Sequence, residues 1–175
     1  MLSPTVYQGA SELRHLGVIR ARGADAASFL QSQLTNDVLT LGPERARLAG
    51  FCSAKGRLQA SFCVLRSAPD ELLLLCAADL LAPTLKRLSM FVLRSKCKLD
   101  DASAELPLLG ISGAGFVPGG AQAWQLQDSA YGKTIRVPDA AGQPRCIVIG
   151  ASAAAFPDLP LLEQRLAVVR LVLYR

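Results

Sequence analysis

The spacing of hydrophobic positions along the chain switches repeatedly between two residues and three to four. That predicts strands and helices in alternation. Leu16 to Arg22 sets Val18 and Arg20 against Ile19 and Ala21 and reads as a strand ended by Gly23. From Asp25 the period lengthens, and Ala26, Phe29, Leu30 and Leu34 fall on one helical stripe. The Asp25 carboxylate suits the first turn of that helix, near unpaired backbone N–H groups. Thr35-Asn36-Asp37 stops it, because short polar side chains bond to nearby backbone and favour turns. Ala46 to Ala49 and Arg57 to Arg66 read as two strands, with Ser53-Ala54-Lys55-Gly56 as the hairpin turn between them.

The same reading continues downstream. Ser67 to Asp70 is a turn and Glu71 to Ala77 a strand. Asp79 is expected to cap a helix over Leu80–Leu93, with Leu81, Leu85, Leu88 and Val92 facing inward and Pro83 tolerated in its first turn. Leu106 to Ile111 is a strand running into Ser112-Gly113-Ala114-Gly115. That loop lacks both the Lys-Ser/Thr of a phosphate loop and a full G-x-G-x-x-G. Val117 to Gly120 is a turn, and three strands follow over Ala123–Leu126, Thr134–Val137 and Cys146–Ile149, the last two joined by a loop at 140–144, with Trp124 expected in the core. Pro157-Asp158 is expected to open a helix through Arg175, with Leu162, Leu166, Val169 and Leu173 on one stripe. Val168 to Arg175 is apolar on nearly every side, which predicts a missing continuation or self-association through this helix. Alternating helices and hairpins predict an α+β fold of antiparallel sheets with flanking helices. The expected subdomains are 1–105 and 106–175, the second incomplete at its C-terminus.

Composition narrows the class. The chain has 175 residues, 51% hydrophobic and 19% charged, enough for a buried core and too apolar for disorder. Its apolar runs, such as Leu72 to Ala78, stop well short of the roughly 20 residues a membrane span needs. Met1 to Arg14 has no apolar core of signal-peptide length, so a cytoplasmic protein is expected. The five cysteines include no C-x-x-C pair, and the single histidine, His15, cannot complete a zinc set; structural thiols and no metal site are expected. The net charge is +5, and Lys86, Arg87, Arg94, Lys96 and Lys98 fall within thirteen residues. A basic run of this kind suits an anionic ligand or simply a solvated helix face.

Two stretches carry a resemblance. Gly23, Asp25, Ala26, Phe29, Leu30, Gln31, Gln33, Thr35, Asn36, Asp37 and Val38 match a "GxDAxxFLQxQxTNDV" helix, and Phe51, Cys52, Lys55, Gly56 and Arg57 match a "FCxxKGR" hairpin. In this order and separation they resemble the folate-binding YgfZ family, relatives of the aminomethyltransferase (T-protein) of the glycine cleavage system. The likeness runs from about Leu13 to about Arg170. It implies an aminomethyltransferase-like folate-binding fold, tetrahydrofolate or a derivative as cofactor, and service to iron–sulfur cluster assembly or repair. Through such enzymes it implies tRNA modification, with iron–sulfur proteins or their assembly machinery as partners.

The residues depart from the relatives' patterns twice. Aminomethyl transfer needs a carboxylate near the accepting folate nitrogen. The T-protein pattern places it four residues beyond the hairpin glycine, which from Gly56 is Ala60, between Gln59 and Ser61. No catalytic residue and no transferase activity are therefore expected. The YgfZ segment "KGCYxGQE" is also absent, since Leu166 to Arg170 matches only its approach. A folate has a flat ring that wants apolar walls and an anionic tail that wants Lys or Arg. The candidates are Phe51 as wall, Arg47, Lys55 and Arg57 as cations, Asn36 as a polar contact and Arg170 as a further cation; surface or packing duty is an equal alternative for each. A true aminomethyltransferase, an RNA-binding module and a scaffold with a degenerate pocket stand as alternative functions. Direct nucleic-acid binding is not expected, because the sparse aromatics form no stacking platform among the charges.

Overall fold

The computed structural model describes residues 8–115, 117, 122–129, 131–140 and 142–161. Their elements run β1 (Gly9–Glu12), β2 (Leu16–Arg22), α1 (Ala26–Gln33), β3 (Ala46–Cys52), β4 (Leu58–Ala68), β5 (Glu71–Ala77), α2 (Ala78–Val92) and β6 (Lys98–Asp101). β7 (Leu108–Ser112), β8 (Leu126–Ser129), β9 (Gly132–Ala140) and β10 (Gln143–Ile149) follow, then a single 3-10 turn at Ala153–Ala155. Two antiparallel sheets with few helices make the α+β class expected from the alternating periods. The contacts divide the chain into two compact units.

The unit that spans Arg14–Glu105 is a five-stranded antiparallel sheet in the order β3-β4-β5-β2-β6. Its central strand β5 is buried from Leu72 to Cys76, so it reads as an unbroken apolar run instead of an alternation. One face of the sheet carries Ile19, Phe51, Phe62, Leu72 and Leu74, onto which α1 lays Phe29 and Leu30 and α2 lays Leu81 and Leu88. Each such leucine contributes about 1.5–3 kcal/mol by leaving water. The predicted stripe of α2 therefore does bind the core, with Leu85 and Val92 half-buried beside it. Its start differs from expectation. Ala77 is the cap and Asp79 lies inside the first turn, because the strand runs straight into the helix. At the far edge Arg20 bridges Asp100 at 2.6 Å and Glu105 at 2.8 Å, and Arg22 reaches Asp100 at 3.2 Å. Burial pushes the Asp100 carboxyl up, but hydrogen bonds from Arg20 and the charges of both arginines hold it below the usual value; the Arg20 hydrogen bond does the same to Glu105.

The other unit is a sheet in the order β1-β7-β10-β9-β8, with Ala10, Leu109, Ile111, Cys146 and Val148 in its core and Phe156 and Leu159 packed against them. β1 pairs with β7 from Gly9↔Ser112 to Glu12↔Leu109, so it belongs here and not to the first subdomain expected over 1–105. The pattern-based reading placed no strand there because four residues, Gly-Ala-Ser-Glu, carry no apolar alternation. Two further expectations change. The first of the three late strands starts at Leu126, and Trp124 ahead of it is half-buried at φ +67° instead of core. Pro157–Leu159 is a turn and not a helix start: Pro160 carbonyl accepts from Ala10 N–H at 2.9 Å and Leu161 bridges Ala10. The helical stripe expected from Leu162 onward lies outside the described residues, as does the turn of Val117–Gly120 except Val117. β9 and β10 approach closely enough to shorten the loop expected over 140–144, with Gly142 at φ +72° in the turn. Among the described residues no helix is long and apolar enough to cross a membrane.

Candidate functional site

The candidate residues from the sequence separate into two groups within the Arg14–Glu105 unit, and the first group holds the fold. β3 pairs with β4 on one side only, which leaves its other edge open. The residues that stop α1 close that edge. Leu34 bridges Phe51, Thr35 N–H donates to Gly50 carbonyl at 2.9 Å, and Gly50 N–H donates back to Thr35 Oγ1 at 2.8 Å. Asn36 spends both ends of its amide here: Nδ2 donates to Leu48 carbonyl at 2.9 Å, and Oδ1 accepts from Asp37 N–H at 2.8 Å. An unpaired strand edge is a template for unwanted pairing, and this clip occupies it. Gln31 Oε1 accepts from Val38 N–H at 2.6 Å and Leu39 N–H at 3.2 Å, which fixes the following loop. Arg47 donates to Asp37 carbonyl and to Thr40 Oγ1 at 3.2 Å. The Asp37 carboxyl sits below its usual range, held there first by Thr40 hydroxyl and backbone donors, then by Leu39 N–H and the Arg47 charge. Asn36 and Arg47 are thus engaged in local structure.

The second group surrounds the hairpin tip. Gly56 takes φ +73° and its N–H donates to Ser53 carbonyl at 2.9 Å, so the turn forms where the sequence placed it. Lys55 and Arg57 stand exposed on this turn, and their side chains have no hydrogen-bond or ion-pair partner among the described residues. Phe51 is only 3% exposed. It is a core residue that offers an edge to the surface, not an open stacking wall. Arg170 lies outside the described residues.

A groove of about 430 Å³ opens between this hairpin and α2. Phe51 forms its floor, Leu58, Leu80, Pro83 and Met90 its apolar walls, Gln59 and Thr84 its polar contacts, and Lys86 and Arg87 its cations. No carboxylate stands among these lining residues. Ala60 pairs with Phe51 across β3 and β4 and is 1% exposed within the apolar layer. The size falls in the range of small-molecule sites. Apolar walls, a few hydrogen-bonding groups and two cations at one side fit a flat heterocycle with an anionic tail. Sequence reasoning missed the groove cations. Lys86 and Arg87 were legible as part of a basic run, but their place opposite the hairpin depends on how α2 crosses the sheet.

Residues 7–115 match the family described as the GCVT N-terminal domain. The chain belongs to this family. It is of the YgfZ-type, aminomethyltransferase-related kind. The tRNA-modifying protein YgfZ of Vibrio vulnificus is 32% identical over 103 residues, covering 59% of this chain and 31% of that protein. The aminomethyltransferase of Bacillus subtilis is 27% identical over 105 residues, 60% of this chain and 29% of that one. The chain spans about a third of the length of these curated relatives. Among solved structures, the glycine cleavage system aminomethyltransferase T from Bartonella henselae superposes with a TM-score of 0.71 at 16% identity, over 86% of this chain and 44% of that one. That likeness is one of fold.

Proposed function

We propose that this chain is a YgfZ-like folate-binding protein of the cytoplasm without aminomethyl transfer of its own, serving iron–sulfur enzyme maturation and through it tRNA modification. The observation that carries the reading is the groove: apolar walls with Lys86 and Arg87, and no carboxylate in its lining. The pterin ring of tetrahydrofolate lies against Leu58, Met90 and the edge of Phe51, with Gln59 and Thr84 for its polar edge. Lys86 and Arg87 receive the glutamate tail, while Lys55 and Arg57 extend the positive field from the hairpin. A transferase needs an acid where the accepting nitrogen sits, and Ala60 cannot ionise. The iron–sulfur and tRNA part rests on the family resemblance and on the name that the Vibrio vulnificus relative bears.

Calorimetric titration of tetrahydrofolate into the chain tests the binding. Saturable binding that drops about ten-fold in Lys86→Ala/Arg87→Ala supports the groove, since two exposed ion pairs, each worth up to about 1 kcal/mol, supply roughly the 1.4 kcal/mol of a ten-fold change. A fully folded chain that takes up no tetrahydrofolate overturns it. The absence of aminomethyl transfer is tested by incubation with an aminomethyl donor and tetrahydrofolate, and any turnover above the uncatalysed rate contradicts it. Depletion of the chain in cells is expected to lower the tRNA nucleosides that iron–sulfur enzymes make, measured by mass spectrometry.

A further inference from the structure

The end of α2 carries a surface that the folate reading does not use. Beyond Met90, which walls the groove, Phe91 is 44% exposed and Leu93 87%, two large apolar side chains within three positions. Leu93 is also held at φ +41°, a region that side chains other than glycine seldom adopt. Arg94, Lys96 and Lys98 follow directly and all are exposed, and no acidic residue falls between Lys86 and Lys98. Asp25 accepts a hydrogen bond from Lys96 backbone N–H at 2.7 Å, and Asp100 and Asp101 follow Lys98 on β6, where Asp100 pairs with Arg20 and Arg22. Apolar side chains left in water at a strained position, beside three exposed cations within five positions, have the layout of an interface: an apolar centre with a charged rim.

We propose that this end of α2 docks an acidic, amphipathic segment of another protein, its apolar side chains on Phe91 and Leu93 and its carboxylates on Arg94, Lys96 and Lys98. The charges select a negative partner. The aliphatic Leu93 weighs against a nucleic acid, which stacks its bases on aromatic groups and gains little from it. A bilayer surface is disfavoured by the helix itself. A membrane-interface helix lies flat with its long apolar face in lipid, whereas that face of α2, with Leu81 and Leu88, is already buried on the sheet. The docking surface adjoins the groove and does not depend on folate.

The test is fluorescence anisotropy of a labelled synthetic helix with leucines on one face and glutamates on the other, titrated with the whole chain. Binding is expected, weakening with salt, and falling about ten-fold both in Phe91→Ser/Leu93→Ser and in Arg94→Glu/Lys96→Glu. The equal charge change Lys55→Glu/Arg57→Glu leaves it within about two-fold. The Arg94→Glu/Lys96→Glu chain gains binding to the lysine version of the helix. Tetrahydrofolate titrates unchanged into Phe91→Ser/Leu93→Ser, which separates this surface from the groove. The proposal is overturned if the glutamate helix does not bind, if the hairpin reversal costs as much as the α2 reversal, or if single-stranded RNA or anionic vesicles bind with the dependence expected of the helix.

Discussion

The clip along β3 and the groove beside α2 lie in one unit and put polar side chains to opposite uses. In the clip, Gln31, Thr35 and Asn36 spend their hydrogen bonds on backbone within the unit, and Arg47 bonds the Asp37 carbonyl and the Thr40 hydroxyl. At the groove and hairpin, Lys55, Arg57, Lys86 and Arg87 are exposed. Polar residues that are fully engaged explain a fold. Cations held at the surface are what remain for a ligand. The stretch from Gly23 to Val38, which carries most of the matched residues, therefore packs the core through Ala26, Phe29 and Leu30 and closes a sheet edge through Leu34, Thr35 and Asn36. The cations of the groove proposed for folate, Lys86 and Arg87, lie on a helix face instead.

The comparison breaks most visibly at Gly23. A Cβ there would stand 2.1 Å from Lys96 carbonyl oxygen, and the residue takes φ +127°, so backbone has to move. Gly23→Ala is expected to cost about 3–5 kcal/mol in chemical denaturation followed by circular dichroism. Gln31→Ala strands the N–H of Val38, while Leu39 N–H keeps its bond to Asp37 Oδ1 at 3.0 Å, and is expected to cost about 1–3 kcal/mol by the same measurement. Asn36→Ala, at an exposed position, should cost about 1 kcal/mol. Lys55→Ala/Arg57→Ala and Lys86→Ala/Arg87→Ala stay within about 0.5 kcal/mol of the parent, as surface changes do. A stability loss at these cations as large as that at the clip would erase the distinction.

Much of this was legible beforehand, for physical reasons. The strand from Glu71 to Ala77, the hairpin turn at Gly56 and the stripe Leu81–Leu88 follow from apolar run length, glycine's positive φ and helical period, which are local. Pairing is not local. The placement of β1 against β7, the bridging of Asn36 to Leu48 and the facing of Lys86 toward the hairpin depend on residues far apart in the chain. Asn36 and Asp37 read as a helix stop, with a ligand contact at Asn36 implied only by the resemblance, and the edge of β3 is what decides what Asn36 bonds to. Phe51 showed the limit of residue type: an aromatic beside a cationic turn suggests a wall, but its partner Ala60 is small and the ring sinks into the core.

A smaller effect concerns acid. Asp100 and Glu105 are held below their ordinary values of 3.8 and 4.5 by the arginines of β2. Their folded values are depressed, so between folded and unfolded values the unfolded chain binds more protons. The stability they supply is complete above the unfolded values and is lost as pH falls through the folded ones. Urea midpoints measured from pH 7 down to about 3 should therefore decline at the acid end, and Asp100→Asn should flatten that decline.

The most direct measurement compares two variants in one experiment: tetrahydrofolate titrated calorimetrically into Lys86→Ala/Arg87→Ala and into Asn36→Ala, each first shown to be folded. The groove assignment requires the first to lose about ten-fold in affinity and the second to bind as the parent does. Equal binding in the first and a loss in the second would move the ligand to the clip and contradict the division between the two regions.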